Sequence, residues 1–315
     1  MNAILEAIRC LSKVFKSGHD ILEQKLSSLN QSTFTNIKNY FHKIIWSDTD
    51  KSIIEMLTQQ ELDLIKTRVD IPRLFAGLSI LDSLVDKVLQ NDYHKLIEPH
   101  THTHIHLHEC LLYQEISESV HQTVYKNQFV VIGSPPVPLF VMTRVLNAHL
   151  KSWEQLSPLQ RMLSSIATEG ILLSTIFDMV NDMKPLTNSI NNEKIQTVLE
   201  YVYSMNHLIT RDEISHVLFG LRLISEFKTQ LGITSTDIDC AVEAACSLAI
   251  TFVGLVTTDP HYLTVVNEKT SIFLKSLEDE TVMIKLNETL VSGFPRKEDF
   301  FNTQPVSYIK NTSAH

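Results

Sequence analysis

Two short patterns recur 95 residues apart: "ESVH" puts Glu118 three residues before His121, and "DEISH" puts Glu213 three residues before His216. On an α-helix, positions i and i+3 share a face, so each pair can offer a carboxylate and an imidazole to one point. Tyr125 follows His121 by four and lies on the same face. A single E-x-x-H is ordinarily a surface pair of little consequence. Two of them, on separate long helices, constrain the fold far more than either alone.

The rest of the chain supports helices. Among 315 residues there are only eight glycines and ten prolines, and helix interiors tolerate few of either. Apolar spacing predicts helices over 2–15, 20–45, 50–66, 71–92, 108–130, 138–150, 156–184, 192–208, 210–230, 235–257, 261–276 and 281–291. The fold class is therefore all-α, with a single helical domain over 1–295 and an irregular tail over 296–315. "VVIGSPPVPLF" interrupts the pattern with glycine and paired prolines. No internal repeat has a solenoid period.

A net charge of −9 offers no basic field for a phosphate backbone, which argues against nucleic acid as a partner. Four cysteines, Cys10, Cys110, Cys240 and Cys246, lack a C-x-x-C pair and suggest a reducing, cytoplasmic setting. The sequons at Asn30, Asn287 and Asn311 are then expected to be silent. "AVEAACSLAITFVGLVTT" at 241–258 is the best membrane candidate, but it contains Glu243 and reads better as a buried core helix.

A carboxylate-bridged di-metal site in a four-helix bundle needs an E-x-x-H from each of two helices and one carboxylate from each of the other two. Glu169 in "TEGILLSTIF" is one candidate, because an unpaired charge in an apolar helical run would be costly. Asp82 in "LSILDSLVDKVL" is another, with Asp86 on the same helix as its rival. Four acids and two imidazoles suit iron or manganese better than structural zinc. The histidine tract "HTHTHIHLHE" at 100–109 has no regularly spaced carboxylate or cysteine partner, and it reads as a solvated lead-in to the Glu118 helix.

These motifs, in their chain order, resemble the small, radical-generating subunit of class I ribonucleotide reductase, in a divergent form like the herpesvirus branch. The resemblance rests on "ESVHQTVY", "EGILLSTIF" and "RDEISH", extends to "YFHKIIWSD" and to "KEDFF" and "VSY" near the end, and so covers most of the chain. It implies a ferritin-like bundle with two iron ions per chain, manganese being the alternative. Asp82, Glu118 and His121 would hold one ion, and Glu169, Glu213 and His216 the other, with Glu118 and Glu213 bridging.

The resemblance further implies that Tyr125 stores a radical formed with dioxygen, shielded in part by Leu173 and Phe177. Trp46, which stands 36 residues before Asp82 and so favours Asp82 over Asp86, would pass the oxidising equivalent onward with Asp212. Tyr308 in the tail would deliver it to a separate large subunit, which reduces ribonucleotides to deoxyribonucleotides. The small subunit would be a homodimer. Leu173 stands where the family has an aromatic residue, and "NTSAH" lacks the acidic and apolar ending of the herpesvirus branch. Two other functions fit the same residues: a di-metal oxidase or monooxygenase acting directly on a small or lipid substrate, and a non-enzymatic viral interaction protein.

Overall fold

The computed structural model describes residues 56–65, 67–97, 107–133 and 136–278, without the side chains at 82–90, 94, 108–109 and 136. These residues are helical, with one isolated antiparallel bridge between Val69 and Thr257. The helices are α1 (Gln59–Leu64), α2 (Ile71–Val88), α3 (His94–Ile97), α4 (Leu107–Val131), α5 (Pro136–Trp153) and α6 (Pro158–Thr168). They continue as α7 (Ser174–Asn181), α8 (Lys184–Ser189), α9 (Glu193–Phe227), α10 (Ser235–Val256) and α11 (His261–Glu278). Two π-turns, Leu89–Tyr93 and Glu169–Leu173, join α2 to α3 and α6 to α7.

Local chemistry explains the starts. Ser157 accepts from the Gln160 backbone N–H while the Gln160 side chain accepts from the Ser157 N–H, and Pro158 occupies the first turn of α6. Thr234 and Asp237 form the same reciprocal cap on α10, and Gln160 Nε2 also donates to Asp237 Oδ1 at 3.1 Å, tying the two caps together. Asn192 caps α9 through the Ile195 N–H.

Four of these elements close a ring: α2 packs on α4, α4 on α9, α9 on α6, and α6 on α2. This is a helical bundle with α5, α10 and α11 outside it. Its interior contains Leu74, Phe75, Leu78, Ile166, Ile171, Phe219 and Leu223, all fully buried. A bidentate pair fixes the first π-turn to α6, with Arg161 Nε and Nη2 donating to Asp92 at 2.7 and 2.9 Å.

Several sequence expectations need correction. The helices expected over 192–208 and 210–230 are one unbroken helix, α9. The Thr210 hydroxyl donates back to the Asn206 carbonyl at 2.7 Å, a bond within the helix that needs no break near 209. The expected 50–66 helix is helical only over Gln59–Leu64 within the described residues, and 71–92 changes to a π-turn after Val88. The expected helices at 2–15, 20–45 and 281–291, most of the histidine tract and the 296–315 tail lie outside the described residues.

Two helical stretches, Pro158–Ser189 and Ser235–Val256, are long and apolar enough to cross a membrane by composition alone. The most apolar 18-residue window of the first is 94% buried within the protein. The second buries Ala241, Ala245, Leu248, Phe252 and Val253 and exposes Glu243, so it packs by one face only.

At Gly220, α9 packs tightly on α6, since a Cβ there would lie 2.5 Å from Ile166 Cγ2. Helix propensity alone would make Gly220→Ala stabilising by about 1 kcal/mol. Overpacking a close-packed core costs about 1–3 kcal/mol, so the clash should win. Urea unfolding of Gly220→Ala is expected to show a lower midpoint than wild type, and a raised midpoint would refute this packing.

Candidate metal centre

The centre forms where α4, α9 and the second π-turn meet. Glu118 and His121 face inward from α4, and Glu213 and His216 from α9, all buried to 1% exposure or less. Glu169 opens the π-turn at 0% exposure. Ligand atoms of Glu118, Glu169, Glu213 and His216 all lie within 4.8 Å of one another, so these four could hold a metal ion.

His121 adjoins them, with Nδ1 2.9 Å from Glu213 Oε1 and 3.8 Å from Glu118 Oε2. His216 Nδ1 is 2.9 Å from Glu118 Oε1 and 3.3 Å from Glu213 Oε2. Each glutamate therefore turns one oxygen to each imidazole. A carboxylate that spans two ions has this arrangement.

The donor set fits a metal on a second ground. Glu118 Oε1, His121 Nδ1 and Glu213 Oε1 make no hydrogen bond, although the short contacts bring nitrogen and oxygen to 2.9 Å. Of these contacts only His216 Nδ1 and Glu213 Oε2, at 3.3 Å, align as a hydrogen bond, and the two 2.9 Å contacts do not. Two neighbouring ligands at about 2.1 Å from one ion are themselves about 3 Å apart, which is the spacing found here.

Around the ligands lies a ring of supporting contacts. His121 Nε2 is 3.2 Å from Asp212 Oδ2 and 3.2 Å from Ser117 Oγ, and Ser117 Oγ also donates to Asp212 Oδ2 at 3.4 Å. A carboxylate behind a ligating imidazole fixes its tautomer and orientation. Gln114 Nε2 donates to Glu169 Oε1 at 3.1 Å. Asp212, which at the start of a helix would be solvated, instead sits mid-helix at 2% exposure.

Sequence reasoning missed Gln114, Ser117 and Tyr93. Gln114 and Ser117 stand four residues before Glu118 and His121, so the same helical spacing could have found them. Tyr93, at 1% exposure, carried no signal. Burial pushes its phenol well up, and the charges of Glu169 and Glu118 push it further.

Of the remaining expected residues, Asp82 lies in α2, which packs along α4, while its side chain is outside the description. Asp86 is in the same position. Trp46 and Tyr308 lie outside the described residues. Tyr125 is fully buried on α4, and Leu173 and Phe177 are at 1% exposure. Comparison with protein families, with curated proteins and with solved structures finds no match for this chain.

In the metal-free protein the charges of the carboxylates and imidazoles partly compensate one another. Burial raises the Glu118 carboxyl, but contacts with His121 and His216 outweigh it and hold the group at about 2. Burial opposes protonation of both imidazoles. The carboxylates of Asp212, Glu118 and Glu213 nevertheless push His121 well up, and those of Glu213 and Glu118 do the same for His216. The stability from the imidazolium ions is thus present at low pH and lost as pH rises through the raised values. That from Glu118 is present above its ordinary 4.5 and lost as pH falls toward 2.

A metal ion bound here would take the place of those protons. Anaerobic ferrous or manganous uptake by the apoprotein should release protons into a weakly buffered dye solution, and affinity should rise with pH. Uptake without proton release would show that His121 and His216 are not the ligands.

Proposed function

We propose that this chain is the radical-generating subunit of a ribonucleotide reductase, built on a ferritin-like bundle. The observation that carries this reading is the meeting of two E-x-x-H pairs with Glu169 at a buried centre, one helical turn from the fully buried Tyr125. With Asp82 as the sixth ligand, the residues would hold two ions, iron or manganese. Oxidised by dioxygen, that pair would supply the one-electron oxidising power.

The protein's own residues do the rest. Glu118 and Glu213 orient both imidazoles toward the shared point. Gln114 steadies Glu169 by its amide hydrogen bond. Tyr125 is the phenol that this oxidising power would reach. Its complete burial, with Leu173 and Phe177 equally buried, excludes the water and reductants that would quench a phenoxyl radical.

Asp212 supports the transfer role, because it contacts His121 directly from the adjoining helix. In this reading the oxidising equivalent leaves through His121 and Asp212 toward Trp46, then passes by way of Tyr308 to a separate large subunit. That subunit would bind and reduce the ribonucleotide. The working form would be a cytoplasmic homodimer, in the host cell if the chain is viral.

Ferrous-loaded wild type exposed to dioxygen is expected to give a tyrosyl signal in electron paramagnetic resonance, and Tyr125→Phe is expected to lose it. Iron uptake with no tyrosyl signal in either protein would overturn the radical role. Asp212→Asn should retain a tyrosyl signal while lowering ribonucleotide reduction with the large subunit by about 10–100-fold, the usual effect of losing a group behind a metal ligand. Equal turnover in Asp212→Asn and wild type would remove Asp212 from the route.

A further inference from the structure

Helix α11 lies outside the ring of the bundle, yet it is laced to the stretch of chain that carries Glu169. The Tyr262 phenol donates to Asp182 Oδ2, just past the end of α7. Lys269, at 8% exposure, sets its Nζ 2.9 Å from Asp178 Oδ2 on α7. Phe273, at 4% exposure, packs on Gly170, where an added Cβ would lie 2.7 Å from the ring's Cδ2 and 3.2 Å from its Cε2. Only glycine lets the ring come this close.

The three contacts are in register. Tyr262, Lys269 and Phe273 fall at i, i+7 and i+11, a single stripe along α11. Their partners run the opposite way along the chain, from Asp182 through Asp178 to Gly170. α11 is therefore antiparallel to α7, and its later turns reach back onto the π-turn at the residue that follows Glu169.

The same π-turn is held from α7. Ser174 Oγ donates to the Gly170 carbonyl and Thr175 Oγ1 to the Ile171 carbonyl, each at 2.7 Å. A π-turn departs from the regular helical ladder, so the side chains around it decide how it sits. Here those side chains come from two helices that Asp178 and Asp182 bind together.

We propose that α11 sets the position of the Glu169 carboxylate, with Phe273 as a positioning residue that acts through Gly170. The ring stops the backbone of the π-turn from shifting toward α11, and the Lys269–Asp178 and Tyr262–Asp182 pairs keep the ring in place. Glu169 thus meets Glu118, Glu213 and His216 from a fixed base. The positioning stands on contacts within the chain, whereas its consequence for metal binding rests on the centre proposed above.

Gln114 reports on Glu169 without any metal, because its Nε2 donates to Glu169 Oε1. In nuclear magnetic resonance of the metal-free full chain, the Gln114 side-chain amide, assigned by its loss in Gln114→Met, should shift in Phe273→Leu. It should not shift in Phe227→Leu, a matching change at a buried ring eleven residues beyond His216 on α9. Anaerobic ferrous affinity should fall about tenfold in Phe273→Leu relative to Phe227→Leu, as when other support behind a metal ligand is lost. If Phe273→Leu does not fold, Phe273→Met, whose flexible side chain refills irregular gaps, should give the same shift at smaller size.

A Gln114 amide that is unchanged in Phe273→Leu, or that Phe227→Leu moves equally, would overturn the inference and leave the metal centre and its function standing. A shifted amide with unchanged ferrous affinity would keep the positioning of Glu169 and remove Glu169 from the metal site.

Discussion

Three carboxylates and two imidazoles meet in the interior of a helical bundle, and their charge has to be compensated there. Glu118, Glu169, Glu213, His121 and His216 are all at 1% exposure or less. Uncompensated ions in such a place destabilise a fold severely, and hydrophobic replacements often do better than buried ion pairs. Protonating both imidazoles leaves three negative charges facing two positive ones. In the proposed reading Asp82 would add a fourth carboxylate, and two divalent cations would cancel four negative charges and leave both imidazoles neutral. The site is costly as a structural core and would be balanced as the proposed di-metal centre.

The surrounding architecture follows from keeping those groups in register. The i,i+3 spacing on α4 and α9 sets each glutamate beside its own histidine, and antiparallel packing sets each glutamate toward the other's. Gly220 lets α9 approach α6, the helix that leads into Glu169. The π-turn at Glu169–Leu173 begins at the carboxylate itself, in keeping with the frequent occurrence of π-turns at functional sites. Gln114, Ser117 and Asp212 then fix the ligands from behind, so that the polar groups form a connected set within an apolar shell.

Much of this was legible before any coordinates. The E-x-x-H pairs were visible because helical spacing is a local property, and Glu169 because a lone acid in "EGILLSTIF" contradicts its surroundings. What stayed hidden depends on tertiary contacts. The run around Thr210 reads locally as a helix start, yet the hydroxyl is satisfied within α9 and the helix continues. The π-turns leave no compositional mark, and Tyr93 gave no hint that it faces the charges of Glu169 and Glu118. Gln128 and Asn206 are 78 residues apart, and only the α4–α9 register shows that they share the Val202 carbonyl.

The most direct test of the central claim is the number and place of bound metal ions. Protein loaded anaerobically with ferrous iron should carry two ions per chain by elemental analysis, in a variant with the 100–108 histidines replaced as well as in wild type. Anomalous scattering from its crystals should place both between α4 and α9, within bonding distance of Glu118, Glu213, His121 and His216. Iron lost with the histidine tract, or a centre between α4 and α9 that stays empty under saturating metal, would contradict the account.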